Sequence, residues 1–404
     1  MSFSIGLSGL RATNEQLDVI SQNIANVDTS GFKSGRAEFS AIYSGGLPGG
    51  VEVAEVTSNF DRDGSVINTG RSMDMAISGR GFFVLNNNGE TAYTRAGTFN
   101  RDASNYIVSN NGARLQGYPV DSSGALLDGV VTDLQVATGT LQASESSLVN
   151  FAANLKADSA VPVTAFNTTA ITPDMYNYSQ SSTVYDSLGT EHVLTQYFVK
   201  DGTNANEWHA YYFIDGTDLN PAPTTPSHTL QFNSDGSITA GTAGPITINH
   251  TLSNGATNLA IDLSLNDMTQ NSADFSLSRN ETDGYGAGEL KNIRVDDDGS
   301  VYGVYTNGQD MLQGKVVLAD FANPNGLSQG DNTTWTQTFA SGAPMLGVPD
   351  SGTLGSLSSG AYEGSNVDLT GELVNLMTAQ RNYQANAKTI SAAEQMTQVL
   401  FSSF

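Results

Sequence analysis

The longest unbroken helical pattern in this chain covers its C-terminal end, from Ser365 to Phe404. No glycine or proline follows Gly371, and apolar residues recur three and four positions apart. Asp368 and Glu372 stand where negative charge stabilises the first turn of a helix. The pattern therefore predicts a C-terminal helix. Its apolar stripe comprises Leu369, Leu373, Leu376, Tyr383, Ile390 and Leu400.

A second stripe of this kind occurs at the opposite end of the chain, between about Ser8 and Val27, with the spacing of two heptad core positions. The two helices would span roughly 30 Å and 48 Å, so one pairing cannot cover both. We therefore expect ends that are loose in the monomer and become helical and paired in an assembly, with a core inside one molecule as the alternative. Polar residues beside the stripes, such as Asn14, Asn23 and Gln380, favour assembly, because they fix register at some expense of stability. The N-terminal stripe comprises Leu10, Leu17, Ile20, Ile24 and Val27.

Between the two ends, short strand-like segments alternate with turn-forming residues. The 42 glycines and the low charged fraction of 14% fit many short strands. The sequence predicts a mainly β, multidomain protein with discontinuous β domains, whose terminal helices pair as a coiled-coil-like domain. The expected domains are a terminal helical assembly domain (1–32 and 365–404), an extended linker region (33–70 and 358–364), an inner β domain (71–142 and 284–357) and an inserted outer β domain (143–283).

Acidic charge is concentrated in the middle of the chain. The formal net charge is −24, yet residues 1–40 and 366–404 each carry one more acidic than basic group. A nearly neutral pair of ends suits surfaces that pack together, and the acidic body makes nucleic acid and anionic membranes poor partners. There is no cysteine, no Sec-type signal and no apolar run long enough to span a membrane, so we expect no membrane insertion.

Candidate chemistry is sparse. The four histidines have no metal-ligand spacing, and no phosphate loop, nucleophile elbow or dinucleotide fingerprint occurs. Two acidic stretches, Asp61–Gly64 and Asp296–Gly299, lack the ligand series of a calcium loop, so we expect hairpin turns there. Trp208 and Trp335 are the only tryptophans, which is few for a sugar-binding cleft. We expect no catalytic residue, no cofactor and no metal.

Three motifs follow one another along the chain, at Leu17–Lys33, Thr69–Val84 and Gln380–Lys388. Leu17–Lys33 resembles the amino-terminal signature of the bacterial flagellar rod and hook proteins, and Gln380–Lys388 resembles the carboxy-terminal signature of that family. Thr69–Val84 is similar to an internal motif. The residues that carry the two terminal signatures are Asn23, Ala25, Asn26, Gly31, Phe32, Lys33, Gln380, Arg381, Tyr383 and Asn386.

The length of the chain and its central insert are similar to those of the hook subunits of this family. That resemblance implies a helical polymer of identical copies, a flexible tube that serves as a universal joint between motor and filament. It also implies a location in the extracellular hook, and export by the flagellar type III apparatus without a Sec signal. Implied partners are the distal rod protein, the hook cap, the hook-filament junction protein and the hook-length control protein.

Phe39 and Tyr43 are similar to the aromatic and apolar positions of an export gate signal, although a buried pair on a strand would give the same pattern. Two alternative functions remain open from sequence. One is a distal rod protein with an unusual insert. The other is a secreted, β-rich carbohydrate-active enzyme or adhesin.

Overall fold

A computed structural model of the chain describes residues 2–44, 47–121, 124–220 and 225–402. The chain forms two compact units. The first unit comprises residues 1–138, 292–304 and 310–404, and the second comprises residues 139–291 and 305–309. The structure is mainly β, with one long helix at each end, as the sequence predicts.

The N-terminal part of the chain, up to residue 133, supplies one helix and ten strands among the described residues. They are α1 (Ser2–Ala25), β1 (Gly35–Ser44), β2 (Leu47–Ser58), β3 (Val66–Asn68), β4 (Met75–Ser78), β5 (Phe82–Asn87), β6 (Glu90–Thr94), β7 (Phe99–Arg101), β8 (Ile107–Ser109), β9 (Arg114–Pro119) and β10 (Thr132–Asp133).

The insert forms β11 (Leu148–Lys156), β12 (Tyr178–Tyr185), β13 (Glu191–Lys200), β14 (Glu207–Ile214), β15 (Thr217–Asp218), β16 (His228–Gln231), β17 (Ile246–His250), β18 (Leu259–Ser264), β19 (Thr269–Asn271) and β20 (Ser276–Thr282). The remaining elements are β21 (Leu290–Val295), β22 (Ser300–Tyr305), β23 (Asp310–Val316), β24 (Leu318–Asp320), β25 (Ser328–Gln329), β26 (Thr334–Thr336), β27 (Met345–Gly347), β28 (Ser356–Ser359), β29 (Ala361–Glu363) and α2 (Leu369–Ser402).

Both terminal helices are formed in the single chain, which differs from the expectation of ends that order only in an assembly. Helix α1 begins six residues earlier than Ser8, at Ser2, and ends at Ala25, so Val27 lies beyond it. The expectation of loose ends considered only the contacts that the two apolar stripes could make with each other. The structure adds a third element, because α1 packs against both α2 and the β1–β2 hairpin.

The hairpin of β1 and β2 occupies most of the segment expected to be an extended linker region. Its antiparallel register runs from the Gly35–Ser58 pair to the Ser44–Leu47 pair, with two irregularities along the way. Gly35 lies against Val19 of α1, and Val51 N donates to Ser8 Oγ. The hairpin thus lies along α1, from Gly35 at its open end to Val51 near its tip.

The β part of the first unit is built on one large sheet of order β21-β22-β23-β9-β5-β6-β26-β25, with β24 also paired to β5. Phe82, Phe321 and Trp335 pack edge to face at its centre. Two further antiparallel pairs, β3 with β29 and β4 with β28, join the chain before the sheet to the chain that leads into α2. The start of α2 is therefore tied to the β region.

The second unit contains two sheets that share one apolar core. One sheet has the order β17-β18-β11-β19 with β20 also on β11, and the other has the order β12-β13-β14-β15 with β16 on β14. Phe151 of the first sheet stacks on Phe198 of the second, with ring centroids 5.7 Å apart. Trp208 is fully buried in the same cluster.

The two acidic stretches differ from each other. Asp296–Gly299 forms the predicted hairpin turn, in which Asp296 N donates to Ser300 O and Gly299 N donates to Asp296 O. The prediction of a hairpin turn at Asp61–Gly64 is wrong, because the flanking strands β2 and β3 pair with β1 and β29 and not with each other. Gly64 N donates instead to a buried carboxylate, Glu363 Oε1. Space excludes a side chain at Gly64, since a Cβ would lie 1.9 Å from the Gly364 carbonyl oxygen.

Candidate assembly site

The contact between α1 and α2 depends on two glycines that let the helices approach closely. A Cβ at Gly9 would lie 2.8 Å from Nδ2 of Asn386, and a Cβ at Gly6 would lie 3.0 Å from Ile390. Small residues at a helix seam shorten the distance between helix axes. On the α2 side the buried positions include Ala379 and Ala393. The seam is thus lined by small and polar residues more than by large aliphatic ones.

The predicted apolar stripes only partly coincide with this seam. Ile20 is buried, whereas Leu10, Leu17, Ile24, Leu376 and Ile390 are half-buried. Val27 lies beyond the end of α1, and the side chain of Leu400 lies outside the described part of the chain.

Leu369, Leu373 and Tyr383 are exposed in the single chain, so α1 does not cover them, and their place in an assembly interface stays a prediction. The reason lies in the register. The α2 face against α1 follows Ala379, Asn386 and Ala393, which is rotated from the most apolar side of the helix. We call that uncovered side the outer stripe of α2; it comprises Leu369, Leu373, Val374 and Met377, which are 42% to 55% exposed.

The Asn23 side chain, on α1, forms hydrogen bonds to the start of β1 and to the first turn of α2. Its Oδ1 accepts from Gly35 N and its Nδ2 donates to Gly35 O, both at 2.8 Å, as a paired strand residue would do. The same Nδ2 lies 3.3 Å from Oε1 of Glu372 in the first turn of α2. Asn23 is 1% exposed, so these bonds satisfy an amide that would otherwise be costly to bury. The family signature thus has a physical reason for asparagine here.

The loop after α1 needs glycine at position 31. Gly31 has a φ of +69°, and a Cβ there would lie 2.3 Å from the Ala96 nitrogen. Its N–H donates to Glu363 O at 2.8 Å. Phe32 is buried directly after it, and the Phe32 carbonyl accepts from Asn366 N. This loop therefore holds the end of α1 against the segment that leads into α2.

Four charged side chains lie at the junction between the helical end and the β region. Lys33 Nζ donates to Glu363 Oε1 at 2.8 Å, and Arg95 Nε donates to Glu363 Oε2 at 2.7 Å. Arg95 also donates to the carbonyls of Gly79 and Gly81 and to Asp63 Oδ1. Lys33, Arg95 and Glu363 are each at most 3% exposed, whereas the Asp63 side chain is half-exposed. We call these four residues the junction cluster.

The electrostatics of the junction cluster follow from two cations around one fully buried carboxylate. Burial raises the pKa of Glu363, but Arg95 and Lys33 outweigh it, so that pKa lies below its usual range. Burial and the charge of Arg95 together hold the pKa of Lys33 below its usual range, despite the opposing effect of Glu363. Such a cluster specifies geometry, and removing its carboxylate would leave two cations facing each other.

Asn366 completes the junction on the C-terminal side. Its Oδ1 accepts from Ser34 N, and its Nδ2 donates to the carbonyls of Asn59 and Arg62. It is therefore not a helix cap, whereas Asp368 is one, since its Oδ1 accepts from Thr370 N and Gly371 N.

Sequence reasoning missed Arg95, Glu363 and the role of Asp63. The available signal was weak: Arg95 directly follows β6 and is one of only 17 basic residues, and Glu363 is the last residue of β29.

The remaining signature residues divide into two groups. Asn26 ends α1, since its Nδ2 donates to Gln22 O and its Oδ1 accepts from Thr29 Oγ1, and Ala25 is the last residue of α1 and is exposed. Gln380 and Arg381 are exposed on α2. The latter pair thus lies on a helix surface that the single chain leaves uncovered.

Phe39 and Tyr43 both lie on β1, but neither is buried: they are 46% and 69% exposed. The alternative of a buried strand pair is therefore wrong, and the export signal stays a prediction. Between β1, α1 and the start of α2 lies a cavity of about 740 Å³ lined by Phe39, Gln16 and Glu372 among others.

No cluster of metal-ligating side chains occurs among the described residues. His192 lies buried between Asp186 and Asp215, and His209 lies near Asp201 and Glu207. Both tryptophans are buried, so neither is available to stack on a sugar. In the described part of the chain, no helix is long and apolar enough to cross a membrane.

Models of flagellar families match four stretches of the chain. Residues 3–33 match the flagella basal body rod protein model, and residues 76–152 match the flagellar hook protein FlgE/F/G D1 domain. Residues 154–285 match the flagellar basal body protein FlaE D2 domain, and residues 358–402 match the flagellar basal body rod FlgEFG protein C-terminal model. The matched stretches include α1, the outer stripe of α2 and the insert.

Whole-length relatives decide between hook and rod. The flagellar hook protein FlgE of Salmonella typhimurium is 42% identical over 99% of both chains. The chain belongs to the flagellar hook protein family. The flagellar hook protein FlgE of Escherichia coli strain K12 is 40% identical over 99% of both chains, and that of Borreliella burgdorferi is 31% identical over 98% of this chain and 97% of the relative.

A solved hook protein has the same fold. The crystal structure of Helicobacter pylori flagellar hook protein FlgE2 matches with a TM-score of 0.51 and 15% sequence identity, covering 72% of this chain and 98% of that chain. Membership of the hook protein family makes a rod protein or a carbohydrate-active enzyme or adhesin the less favoured function.

Proposed function

We propose that this chain is the structural subunit of the bacterial flagellar hook and polymerises through its terminal helices into a flexible tube, a universal joint between motor and filament. The observation that carries the polymerisation step is the outer stripe of α2. Leu369, Leu373, Val374 and Met377 are exposed on a helix that is otherwise fixed by α1 and the junction cluster. Exposed apolar side chains on a rigid helix suit burial against a neighbouring copy.

The hairpin and the junction cluster suit a subunit that transmits torque. Polar and ionic bonds depend on direction, so they fix the angle at which α1 and α2 meet the β region more strictly than apolar contacts would. The acidic charge lies outside the two ends, which lets those ends pack with neighbours at little electrostatic cost.

The finer parts of the proposal come from the family resemblance. The tube would begin on the distal rod protein, grow beneath the hook cap and end at the hook-filament junction protein, with length set by the hook-length control protein. Subunits would leave the cell by the flagellar type III apparatus, with Phe39 and Tyr43 as the proposed signal. No catalytic activity, cofactor or metal enters this role.

The experiment that tests the function is deletion of the gene in its source bacterium, followed by electron microscopy of isolated basal bodies. Finished rods without hooks, with hooks restored by the wild-type gene, are the expected result. Truncated rods would support the distal rod protein instead, and complete flagella in the deletion strain would contradict the proposal.

A pair of variants tests the role of the outer stripe. L373E with M377E places two charges on that stripe, and we expect a folded protein that fails to restore hooks. L188E is the matched control, because Leu188 is a 63% exposed leucine in the second unit. Hooks formed by the double variant at wild-type number would exclude the outer stripe from assembly.

A further inference from the structure

Phe339 is the most exposed large apolar side chain described in the structure. Its relative exposure is 105%, which means that no part of the chain shields the ring. Isolated exposed apolar residues are ordinary on protein surfaces, but a phenylalanine without any cover is less so. The question is whether its surroundings are those of an ordinary loop.

The backbone around Phe339 is held tightly. Thr338 Oγ1 accepts from Ala340 N and Ser341 N, and Ser341 Oγ donates to Thr338 O at 2.9 Å. Asn323 Nδ2 also donates to Ala340 O at 3.1 Å, which ties the turn to the preceding loop. Because the Ser341 side chain is fully buried, the turn is anchored while the ring points to solvent. Little backbone entropy therefore remains to be lost when this turn binds a partner.

An exposed strand edge follows directly. Strand β27 pairs with β24, and in the part of the chain that the structure describes it pairs with no other strand. Met345 and Leu346 on β27 are 54% and 45% exposed. Unpaired strand edges with apolar side chains tend to be covered by another chain. Phe339 and β27 are close in sequence, and we call residues 338–347 the Phe339 segment.

Charge indicates which partner fits. No charged residue occurs between Asp331 and Asp350, although the whole chain carries 41 acidic residues and a net charge of −24. A basic partner would be bound by acidic side chains, and this segment supplies none. Two copies of an acidic chain repel each other except where charge is lacking. Interface centres are likewise depleted in charge and enriched in aromatic residues and methionine.

We propose that the Phe339 segment is a contact surface for a second copy of this chain in the polymer, with the Phe339 ring as its central anchor. The inference rests on the proposed function for the existence of the polymer, but it concerns a surface outside the terminal helices. In it, the β region of one subunit contacts its neighbour through an aromatic side chain on an anchored turn.

The primary test is photo-crosslinking of the full-length chain with p-benzoylphenylalanine in place of Phe339. In hooks assembled in the source bacterium, we expect crosslinks between copies of this chain, and dilute monomer should give none. Intact hooks without crosslinks from position 339, or with crosslinks only to a different protein, would overturn the inference. If the wild-type gene itself supports no hook, then the proposed function fails, and not this surface in particular.

A second test uses the wild-type protein and so avoids any effect of the substituted residue on assembly. In hydroxyl-radical footprinting, the peptides with Phe339 and Met345 should be oxidised in the monomer and protected at least about fivefold in the polymer, as expected for a residue at an interface centre. Equal oxidation in both forms would overturn the inference.

Substitutions at Phe339 then measure how much the ring contributes to polymerisation. F339A should raise the critical concentration for polymerisation at least about tenfold, whereas F339W should stay within about threefold of wild type. Q337A is the matched control, since Gln337 is an exposed polar neighbour. Because the ring has no contacts to lose in the monomer, the thermal unfolding of F339A should be unchanged. An unchanged critical concentration for F339A would contradict the proposed anchor.

Discussion

The junction cluster of the first unit and the apolar core of the second unit are both buried, but they are built from opposite chemistry. In the junction, a lysine, an arginine and a glutamate are at most 3% exposed and join segments that are far apart in sequence. In the second unit, Phe151, Phe198 and Trp208 fill the space between two sheets. An apolar core tolerates small changes of shape, whereas an ionic cluster depends on every partner. The difference suggests that the junction fixes an angle and the second core supplies local stability.

The largest expected effect comes from the junction. E363A leaves Lys33 and Arg95 buried without their carboxylate, which should lower the free energy of unfolding by about 3 to 5 kcal/mol. Chemical denaturation of the purified chain measures it, with E38Q as the control, because Glu38 pairs with an exposed Arg36. If E363A lowers the free energy of unfolding by no more than E38Q does, the junction cluster does not stabilise the fold as proposed.

A conservative substitution in the apolar core of the second unit should lower the free energy of unfolding by less than E363A does. W208F removes part of a buried ring and the bond from Trp208 Nε1 to Gln270 Oε1, which is 2.8 Å long. We expect a loss of about 2 kcal/mol, confined to the unfolding of the second unit, and hooks should still form. Hydrogen exchange resolved by peptide measures where the loss occurs. Increased exchange in α1 and α2 would show that the two regions are not independent.

Removing the hydrogen bonds of Asn23 should lower the free energy of unfolding by a smaller amount. N23A leaves the N–H and C=O of Gly35 without their side-chain partner, for an expected loss of about 1 to 2 kcal/mol in thermal or urea unfolding. N14A is the control, since Asn14 is exposed on the same helix. Faster exchange at the start of β1 would accompany the loss in N23A. Equal stability of the two variants would contradict this role of Asn23.

The smallest effect is a pH dependence in the second unit. Burial lowers the pKa of His192, but its hydrogen bonds to Asp215 and Asp186 outweigh burial, so the net pKa is raised. The stabilisation is therefore complete below the unfolded value of about 6.5 and is lost as pH rises through the folded value. Unfolding measured from pH 6 upward should show this decline in wild type and lose it in H192Q.

The control for that decline is H228Q, because His228 contacts the carbonyl oxygen of Thr242 and forms no ion pair within the described part of the chain. If the free energy of unfolding of H192Q declines with pH as steeply as that of wild type, the pH dependence comes from other groups. On the acid side, burial raises the pKa of Asp186, but hydrogen bonds from Thr190 N, Asn254 and His192 lower it to about 2. Its contribution to stability is thus complete above the ordinary pKa of an aspartate and is lost as pH falls towards about 2.

The comparison of junction and core also shows what could be predicted from sequence. The terminal helices and the hairpin turn at Asp296–Gly299 were predictable, because periodicity and turn residues are local signals. Gly31 and Lys33 were recognised as signature residues, but the reason for each lies in a distant partner. Arg95 and Glu363 are 268 positions apart, and no local pattern shows that they meet.

The sequence also could not show which side of α2 faces α1, because that depends on contacts between distant residues. Periodicity identifies an apolar side of a helix, but it does not identify which side meets α1. The close approach allowed by Gly6 and Gly9 selects a seam of small residues, and this rotates Leu369 and Leu373 outward. In a subunit that polymerises, the most apolar side is available to a neighbour.

The measurement that tests the central claim most directly is cryo-electron microscopy of hooks isolated from the source bacterium. The account predicts a tube built from copies of this chain, in which Leu369, Leu373 and Met377 of each copy are buried against a neighbouring copy. A tube in which these side chains of α2 remain exposed to solvent, or a hook built from another protein, would contradict it.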